Sequence, residues 1–428
     1  MTEQLDREAL RAWYEGHLIQ ELLPFWMRAL DERHGGVYTC FTNTGSELLS
    51  TDKYTWSQGR FIWLWSRIAD LCGRKVLSGD AESFLEQAGK TVDFLKRHAM
   101  LDNGNCAFLL TEEGAKKESI PGQGYDTSFY ADCFVVLGFS EYARVSGRAD
   151  IAEDALRLYD RIRGRLQSGH VRSEPYPIPE GMDSHSVSMI MLNCSQQLMD
   201  ALQSLGHPDE SRVRSDCLAY AERILRHFLQ PDGQVAELVS KEERAQDTLL
   251  CRHVNPGHTL ESMWFVIAAA ERLNRRDLIA EALPAVKRAF ELGWDAAEGG
   301  LLRFVDREGG EPRGLRTGDP YERLILDTWD TKLWWPHSEA LYSTLLAYEH
   351  SGDPAFLSMY SQAHDYVFRT FPNPDRTVGE WIQIRDRSGR PLNKVVALPV
   401  KDPFHIIRNV LLILELLPSE GIVRPEVI

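Results

Sequence analysis

Apolar and polar residues follow one another in a pattern that predicts about twelve helices of two kinds. Stretch 209–229 carries its apolar residues on one face, as a surface helix does. Stretch 257–274 is apolar nearly all round, as a buried helix is. The two kinds alternate along the chain, and the predicted helices span 6–30, 53–72, 82–99, 127–147, 149–168, 184–205, 209–229, 257–274, 276–293, 331–350, 354–371 and 404–418.

Short extended segments that begin with glycine recur between the helices and indicate an internal repeat. Each has a β-favouring stretch, and most then show turn residues, so each predicts a strand or small hairpin. Six outer and six inner helices in alternation predict an (α/α)6 barrel that forms a single domain over 1–428; the alternative is an open helical solenoid. The segments begin at Gly35, Gly104, Gly233, Gly299 and Gly379, with a weaker member at 169–183.

Composition narrows the class of protein. The net charge is -15 without any Lys/Arg cluster, so we expect no nucleic-acid partner. The amino terminus lacks a signal-peptide pattern, and the longest apolar run, 264–270, is too short to span a membrane. The seven scattered cysteines are typical of free thiols in a reducing compartment, so we expect a cytoplasmic protein.

Two similar motifs precede predicted buried helices and supply the main catalytic candidates. Segment 255–258 reads NPGH and segment 402–405 reads DPFH, so each places a capping residue first, a proline at the first helical position and a histidine at the third. The helix dipole there disfavours an imidazolium, so we expect His258 and His405 to be neutral and able to act as general bases. One such motif favours a packed histidine, whereas two at equivalent positions favour function.

Other polar residues at these helix starts are candidates for substrate binding. Glu261 and Arg408 each lie one helical turn after a candidate histidine and on the same helix face. Arg60 precedes a strongly apolar run, where it would either polarise a carbonyl oxygen or form a buried salt bridge.

The motif KLWWPHSE opens the tenth predicted helix. Trp334 or Trp335 could stack on a sugar ring, and Glu339 could accept hydrogen bonds from its hydroxyls. His337 fits a structural role as well as a catalytic one. The sequence has no P-loop, dinucleotide-binding, H-E-x-x-H or G-x-S-x-G motif, so we expect neither a cofactor nor a bound metal.

Five blocks of the sequence together resemble the N-acylglucosamine 2-epimerase family: DKYTWSQGR, SFYADCF, NPGHTLESMWF, KLWWPHSEAL and FHIIR. The resemblance covers most of the chain and implies an (α/α)6 barrel. It also implies that His258 and His405 form an acid/base pair. Further site residues implied by the resemblance are Tyr54, Arg60, Glu339 and Arg408.

The resemblance implies a sugar 2-epimerase. One histidine removes the C2 proton of an open-chain sugar and the other returns it to the opposite face, through an enediolate held by arginine. The alternative is an aldose–ketose isomerase, in which the proton returns to C1. Such relatives carry a third histidine on the sixth helix; here residues 189–192 of that helix read MIML, and His185 is nearby.

The family also suggests partners and an activator. Homodimers are common in the family, and members that act on N-acetylglucosamine are activated by ATP without consuming it. Their glycine-rich stretch before the last histidine is replaced here by 397–403, so we do not expect ATP activation.

Two other functions stay open on the sequence. A glycoside hydrolase would need two carboxylates across the scissile bond, and Glu261, Glu339, Asp126 and Asp132 are available. The third hypothesis is that the chain is a non-catalytic protein that binds another protein.

Overall fold

Helices joined by short extended segments make up the computed structural model, which describes residues 6–169, 171–240, 242 and 245–417. Residue 418, the end of the last predicted helix, lies outside the described residues. The helices are α1 (Arg7–His17), α2 (Leu23–Arg28), α3 (Thr55–Gly73), α4 (Ala81–His98), α5 (Phe129–Ser146), α6 (Ala149–Ser168), α7 (His185–Ser204), α8 (Glu210–Arg223), α9 (Leu249–Arg252), α10 (Pro256–Leu273), α11 (Arg276–Gly293), α12 (Pro320–Thr328), α13 (Trp334–Ser351), α14 (Pro354–Thr370) and α15 (Phe404–Leu416).

Six of these helices form a closed inner ring: α3, α5, α7, α10, α13 and α15. Each packs on the next along the chain, and α15 also packs on α3, which closes the ring. Nearly every residue of α7 and α10 is buried, which explains why these stretches are apolar nearly all round. The predicted (α/α)6 barrel is therefore confirmed, and the open solenoid is wrong.

The outer helices each bury one face against the ring. In α4 the buried residues include Ala88, Val92 and Leu95, which recur at helical spacing on one side. Helices α6, α8, α11 and α14 bury one face in the same way, and α1 with α2 completes the outer layer.

Very short antiparallel strands connect neighbouring repeats. In four repeats a strand just before an inner helix pairs with a glycine-led segment that follows in the next repeat: β3 with β4, β6 with β7, β8 with β9 and β10 with β11. These pairs fix where the inner helices begin. The strands are β1 (Cys40–Phe41), β2 (Leu48–Ser50), β3 (Lys53–Tyr54), β4 (Leu109–Leu110), β5 (Lys116–Lys117), β6 (Met182–Ser184), β7 (Leu238–Ser240), β8 (His253–Val254), β9 (Val305–Asp306), β10 (Lys332–Leu333) and β11 (Ile384–Arg385).

The helix boundaries correct two details of the sequence prediction. Predicted helix 6–30 is broken by a π-helical turn at Leu18–Leu22, and Pro24 then lies in the first turn of α2, where no backbone N–H is required. Helices α9 and α12 were not predicted; Thr248 caps α9, Asp319 caps α12, and both pack in a small separate apolar cluster around Ile325.

The seven cysteines are free thiols, as predicted, and six of them are buried. In the described part of the chain, no helix is long and apolar enough to cross a membrane. The single domain over 1–428 includes residues that are not described, and it stays a prediction.

Candidate active site

A cavity lies at the rim of the barrel where the six inner helices begin. The first turns of every inner helix contribute to its wall. Loop residues 176–179 and part of 396–400 also line it, and the Tyr176 hydroxyl donates to the backbone oxygen of Val396 at 2.8 Å. Each inner helix contributes at least one residue to the wall, in chain order Arg60, Phe134, Asn193, His258, Trp335 and His405.

His258 lies in the first turn of α10 and is positioned by a local cap. The side chain of Asn255 accepts a hydrogen bond from the His258 backbone nitrogen at 3.2 Å, and Pro256 is the first helical residue. These observations confirm the predicted capping arrangement. The His258 Nδ1 atom lies 2.8 Å from Oε1 of Glu237, a buried carboxylate just before β7. An ionised carboxylate only accepts, so Nδ1 carries the hydrogen and Nε2 is left for the cavity.

His405, at the start of α15, is held by a glutamate in a similar way. Its Nδ1 atom lies 2.6 Å from Oε1 of Glu339, a fully buried residue of α13. Helix α15 begins at Phe404, so His405 is its second residue and not the third as predicted. Asp402, the predicted cap, still accepts a hydrogen bond from the Phe404 nitrogen at 2.9 Å.

The pKa values of the two imidazoles shift in opposite directions, whereas the helix position predicts that both are lowered. Burial, reinforced by Arg408 and Arg60 against the pull of Glu261, lowers the pKa of His405 to about 3. Burial also disfavours the charged form of His258, but the charge and hydrogen bond of Glu237 outweigh it and raise the pKa of His258 above its ordinary value.

An arginine joins the carboxylates next to His405. One terminal nitrogen of Arg408 donates to Glu261 at 2.5 Å and to Glu339 at 2.7 Å. Burial opposes the charge of Arg408, yet the two carboxylates raise its pKa above the ordinary value. Glu261, Glu339 and His405 could by themselves surround a cation, since their ligand atoms lie within 4.8 Å of one another, but the guanidinium supplies that positive charge.

Trp335 connects the two histidines. Its ring centroid lies 5.1 Å from that of His258 and 5.7 Å from that of His405. Both imidazoles therefore border the same part of the cavity. Trp334 also lines the cavity, so both tryptophans of the motif reach the site.

Arg60 lines the cavity and also forms a buried salt bridge. It pairs with Asp402, and its guanidinium lies 4.0 Å from the centroid of the Phe134 ring. The two roles that the sequence suggests for Arg60, polarising a carbonyl oxygen and forming a buried salt bridge, are therefore compatible. Burial lowers the pKa of Arg60 more than Asp402 raises it.

Four residues that the sequence suggested do not line the cavity. Tyr54 lies on β3, where its ring packs on Phe108. Glu339 is not part of the cavity wall, since it accepts from His405 Nδ1 and from the indole of Trp264 at 2.7 Å; its contact with sugar hydroxyls stays a prediction.

The other two are histidines. His337 accepts from the Leu301 backbone nitrogen at 2.8 Å and stacks on Tyr366, which is a structural role. His185 is fully buried as the first residue of α7, with Nε2 2.9 Å from the Ser262 hydroxyl. Its Nδ1 atom faces Glu237 at 3.7 Å.

The carboxylates considered for hydrolysis have other partners. Asp132 is fully buried against Arg165, and Asp126 accepts from Asn105 at 2.7 Å. Glu261 and Glu339 bind the same arginine and therefore lie side by side.

Sequence reasoning missed Glu237. It occupies the fourth position after Gly233 in one of the glycine-led segments, and its backbone oxygen accepts from the nitrogen of His185, the first residue of α7. Residues at the same position in other repeats, such as Phe108 and Gln383, accept from the first residue of the neighbouring inner helix in the same way. Aligning the segments on their glycines would have placed Glu237 at the rim.

A model of the N-acylglucosamine 2-epimerase (GlcNAc 2-epimerase) family matches residues 36–408. The chain belongs to this family. Human N-acylglucosamine 2-epimerase is 32% identical over 415 residues, which cover 94% of this chain and 90% of the human protein.

Solved structures of sugar-converting proteins share the fold. Cellobiose 2-epimerase from Bacillus thermoamylovorans matches with a TM-score of 0.73 at 17% identity, covering 95% of this chain and 99% of that one. A D-mannose isomerase matches with a TM-score of 0.72 at 16% identity, covering 95% and 98%. The resemblance stated from the sequence motifs is thus confirmed at the level of the family and of the fold.

Proposed function

We propose that this protein is a sugar 2-epimerase that interconverts C2 epimers of an N-acylamino sugar or of an aldose such as glucose or mannose. The main support is the pair His258 and His405, which border one cavity while each Nδ1 atom is held by a glutamate. Membership of the N-acylglucosamine 2-epimerase family supports the same reaction class.

The proposed reaction starts from the open-chain sugar, whose C2 proton is acidified by the C1 carbonyl. Neutral His405 takes the C2 proton through Nε2, and the electron pair moves to the carbonyl oxygen to give an enediolate or enolate. Protonated His258 then donates a proton to C2 from the other face, and the carbonyl re-forms. Arg408 and Arg60 lie on the cavity wall, where their charges would stabilise the oxyanion.

Two bases on one cavity support inversion at C2, because a single base would return the proton to the face from which it came. Hydrolysis is less well supported, since Glu261 and Glu339 share Arg408 and do not face each other across a gap. Isomerisation would use the same first proton transfer, but the nearby His185 is bonded to Ser262 and is not part of the cavity wall.

The proposed chemistry requires only proton transfer next to a carbonyl and therefore no cofactor or metal. We still predict that ATP does not activate this protein. Segment 397–403, which replaces the glycine-rich stretch, contributes Ala397 and Leu398 to the wall of the proposed sugar cavity. Cytoplasmic location and a homodimer also stay predictions.

The test is to incubate the protein in deuterated water with a panel of N-acylhexosamines, aldoses and disaccharides, with and without ATP, and to follow products by NMR. Epimerisation by two bases places one solvent deuterium at C2 of the product epimer. Label at C1 of a ketose would instead indicate an isomerase. Product epimer without deuterium at C2 would rule the mechanism out.

Histidine variants complete the test. His258→Asn and His405→Asn should each abolish turnover while leaving the circular dichroism spectrum unchanged. His227→Asn is the matched control, because His227 bonds to Asp183 and does not line the cavity. Full activity in either cavity variant would contradict the proposal.

A further inference from the structure

The two histidine–glutamate pairs have different surroundings, and this difference has chemical consequences. Glu339 accepts from His405, from the cationic Arg408 and from the indole of Trp264. Glu237 accepts from His258 at 2.8 Å and is faced by His185 Nδ1 at 3.7 Å, and among the described residues no Lys or Arg side chain forms an ion pair with it. The negative charge of Glu339 is therefore partly neutralised by Arg408, which is always charged, whereas the negative charge of Glu237 stabilises the charged form of His258.

The groups facing His258 come from several elements. Glu237 lies before β7, and Glu261 lies one turn along α10; both carboxylates favour the imidazolium. Arg303, in the segment before β9, opposes it weakly and donates instead to Thr328 at 3.0 Å. Behind Glu237, His185 of α7 faces the second carboxylate oxygen at 3.7 Å and is bonded to Ser262.

Glu237 has the burial needed for a strong local effect. Only 4% of its surface is exposed, and a carboxylate away from water acts more strongly on a neighbouring charge than one at the surface. Such a carboxylate is costly unless it is paired, and His258 is its closest hydrogen-bond partner. A protonated His258 removes this cost.

We propose that Glu237 is a positioning residue that keeps His258 doubly protonated, so that the free enzyme has His258 as the acid and His405 as the base. The inference rests on the proposed epimerase function for its catalytic meaning. Glu237, which belongs to neither histidine motif, is thus the origin of the asymmetry between two otherwise similar histidines.

In the direction that uses His405 as the base, the same carboxylate would reset the enzyme after each turnover; the form left before the reset is the one that acts on the opposite epimer. When the product leaves, His405 carries the proton taken from the sugar and His258 has lost one. His405 then releases a proton to water in the cavity, and His258 takes one up, so no net charge changes. Glu237 drives this exchange because the charged form of His258 is stabilised and that of His405 is not.

The pH dependence follows from the sign of each shift. His258 must be protonated to act as the acid, so activity falls as the pH rises through its raised pKa. His405 must be neutral to act as the base, so activity falls only near its pKa of about 3. Replacing Glu237 by a neutral residue lowers the pKa of His258 and moves the alkaline fall to lower pH.

The experiment compares Glu237→Gln, Glu237→Asp and the wild type. The His258 and His405 ring protons are followed by NMR against pH, with His258→Asn and His405→Asn used to assign them, and kcat/KM, which reports the free enzyme, is measured over the same range. We expect Glu237→Gln to lower the pKa of His258 and the alkaline limb of kcat/KM together by about 1 to 3 pH units. Glu237→Asp keeps the charge and should keep the limb near its wild-type position.

The control is Glu298→Gln, which removes the same charge from an exposed site. The wild-type titration alone already tests the inference, even if Glu237→Gln does not fold: a His258 pKa at or below that of His405 would overturn it. An unchanged His258 titration in Glu237→Gln would also overturn it. If the titration shifts as expected but the wild type epimerises no sugar, the proposed function fails and the positioning role stands.

Discussion

Neighbouring charges decide which histidine carries a proton, and they outweigh the helix ends on which both histidines lie. A helix terminus contributes about 0.3–1 kcal/mol at an exposed site, whereas a buried opposite charge shifts a pKa by about 1 to 3 units. Position at a helix start predicts a lowered pKa for both imidazoles, and the pKa of His405 is lowered whereas that of His258 is raised. The carboxylate of Glu237 accounts for the difference.

Glu339 should be essential because of the hydrogen bond that it accepts, although it does not line the cavity. In Glu339→Gln, an amide oxygen can satisfy Arg408 while the amide NH2 turns toward His405 Nδ1. Nδ1 would then have to accept, and the proton would move to Nε2, where the base is needed. We expect kcat to fall about 10²- to 10⁴-fold, as when a carboxylate that fixes a catalytic tautomer is lost. Steady-state kinetics on a sugar that the NMR panel shows to be converted would measure it.

The thermal midpoint of Glu339→Gln serves as its control. Arg408 keeps Glu261 as an ion-pair partner, so the variant should stay folded at the assay temperature. A folded variant with kcat within tenfold of the wild type would contradict the tautomer role.

At the residue scale, the sequence predicted the two catalytic candidates but not their partners. His258 and His405 could be found because a proline-containing cap precedes both. Glu237 could not be recognised as a partner of His258, because its carboxylate reaches the imidazole only once β7 pairs with β6. His337 directly follows Pro336 near a helix start, yet it binds the Leu301 nitrogen, a contact that depends on packing between repeats.

At the scale of elements, the glycine-led segments are the part of the pattern that predicts most about the site. Gly104, Gly233 and Gly379 adopt positive φ, which favours glycine and explains why the repeat can be read from the sequence. The fourth residue after each contacts the start of a neighbouring inner helix. The sequence therefore predicts where these segments are, whereas their pairing partners follow from the closed ring.

The crossing of α3 and α5 in the inner ring depends on two glycines. A Cβ atom at Gly138 of α5 would lie 2.4 Å from the backbone oxygen of Gly59 in α3, and one at Gly59 would lie 2.4 Å from the oxygen of Phe134. Backbone atoms cannot move aside as a side chain can, so Gly138→Ala must separate the two helices. We expect it to lower the free energy of unfolding by about 3 kcal/mol, measured by urea denaturation.

Gly164→Ala is the matched comparison, with the opposite sign expected. Gly164 lies inside α6 with no atom within 4 Å of an added Cβ, so alanine should stabilise the protein by about 0.5–1 kcal/mol. If both variants shifted the unfolding midpoint in the same direction, helix propensity and not the close crossing would explain the effect.

At the scale of the whole molecule, closure distinguishes this barrel from an open array of helix pairs. Arg60 at the start of α3 pairs with Asp402 just before α15, which joins the two ends of the ring at the cavity rim. At the opposite rim, Arg11 of α1 donates to the backbone oxygens of Leu414 and Leu417, each at 3.0 Å. The sequence predicted six helix pairs, but these long-range contacts are set by geometry that no local pattern contains.

Closure should be visible in hydrogen exchange. In an open array the terminal repeats have one neighbour and fray, whereas in a closed ring every inner helix has two. We expect the amides of α15 and α3 to exchange as slowly as those of α7 and α10, measured by mass spectrometry on peptides from each helix. Faster exchange confined to α15 and α3 would mean that the ring opens in solution.

Arg11→Gln tests whether the contacts at the rim opposite the cavity carry part of this protection. The variant loses hydrogen bonds to carbonyls at the end of α15, so exchange should accelerate in α1 and α15 before it changes in α7. The active-site rim is formed by other contacts, including the Arg60–Asp402 pair, so kcat should stay near the wild-type value. Uniform acceleration in all inner helices would instead show that the ring unfolds as one cooperative unit, with Arg11 stabilising the whole of it.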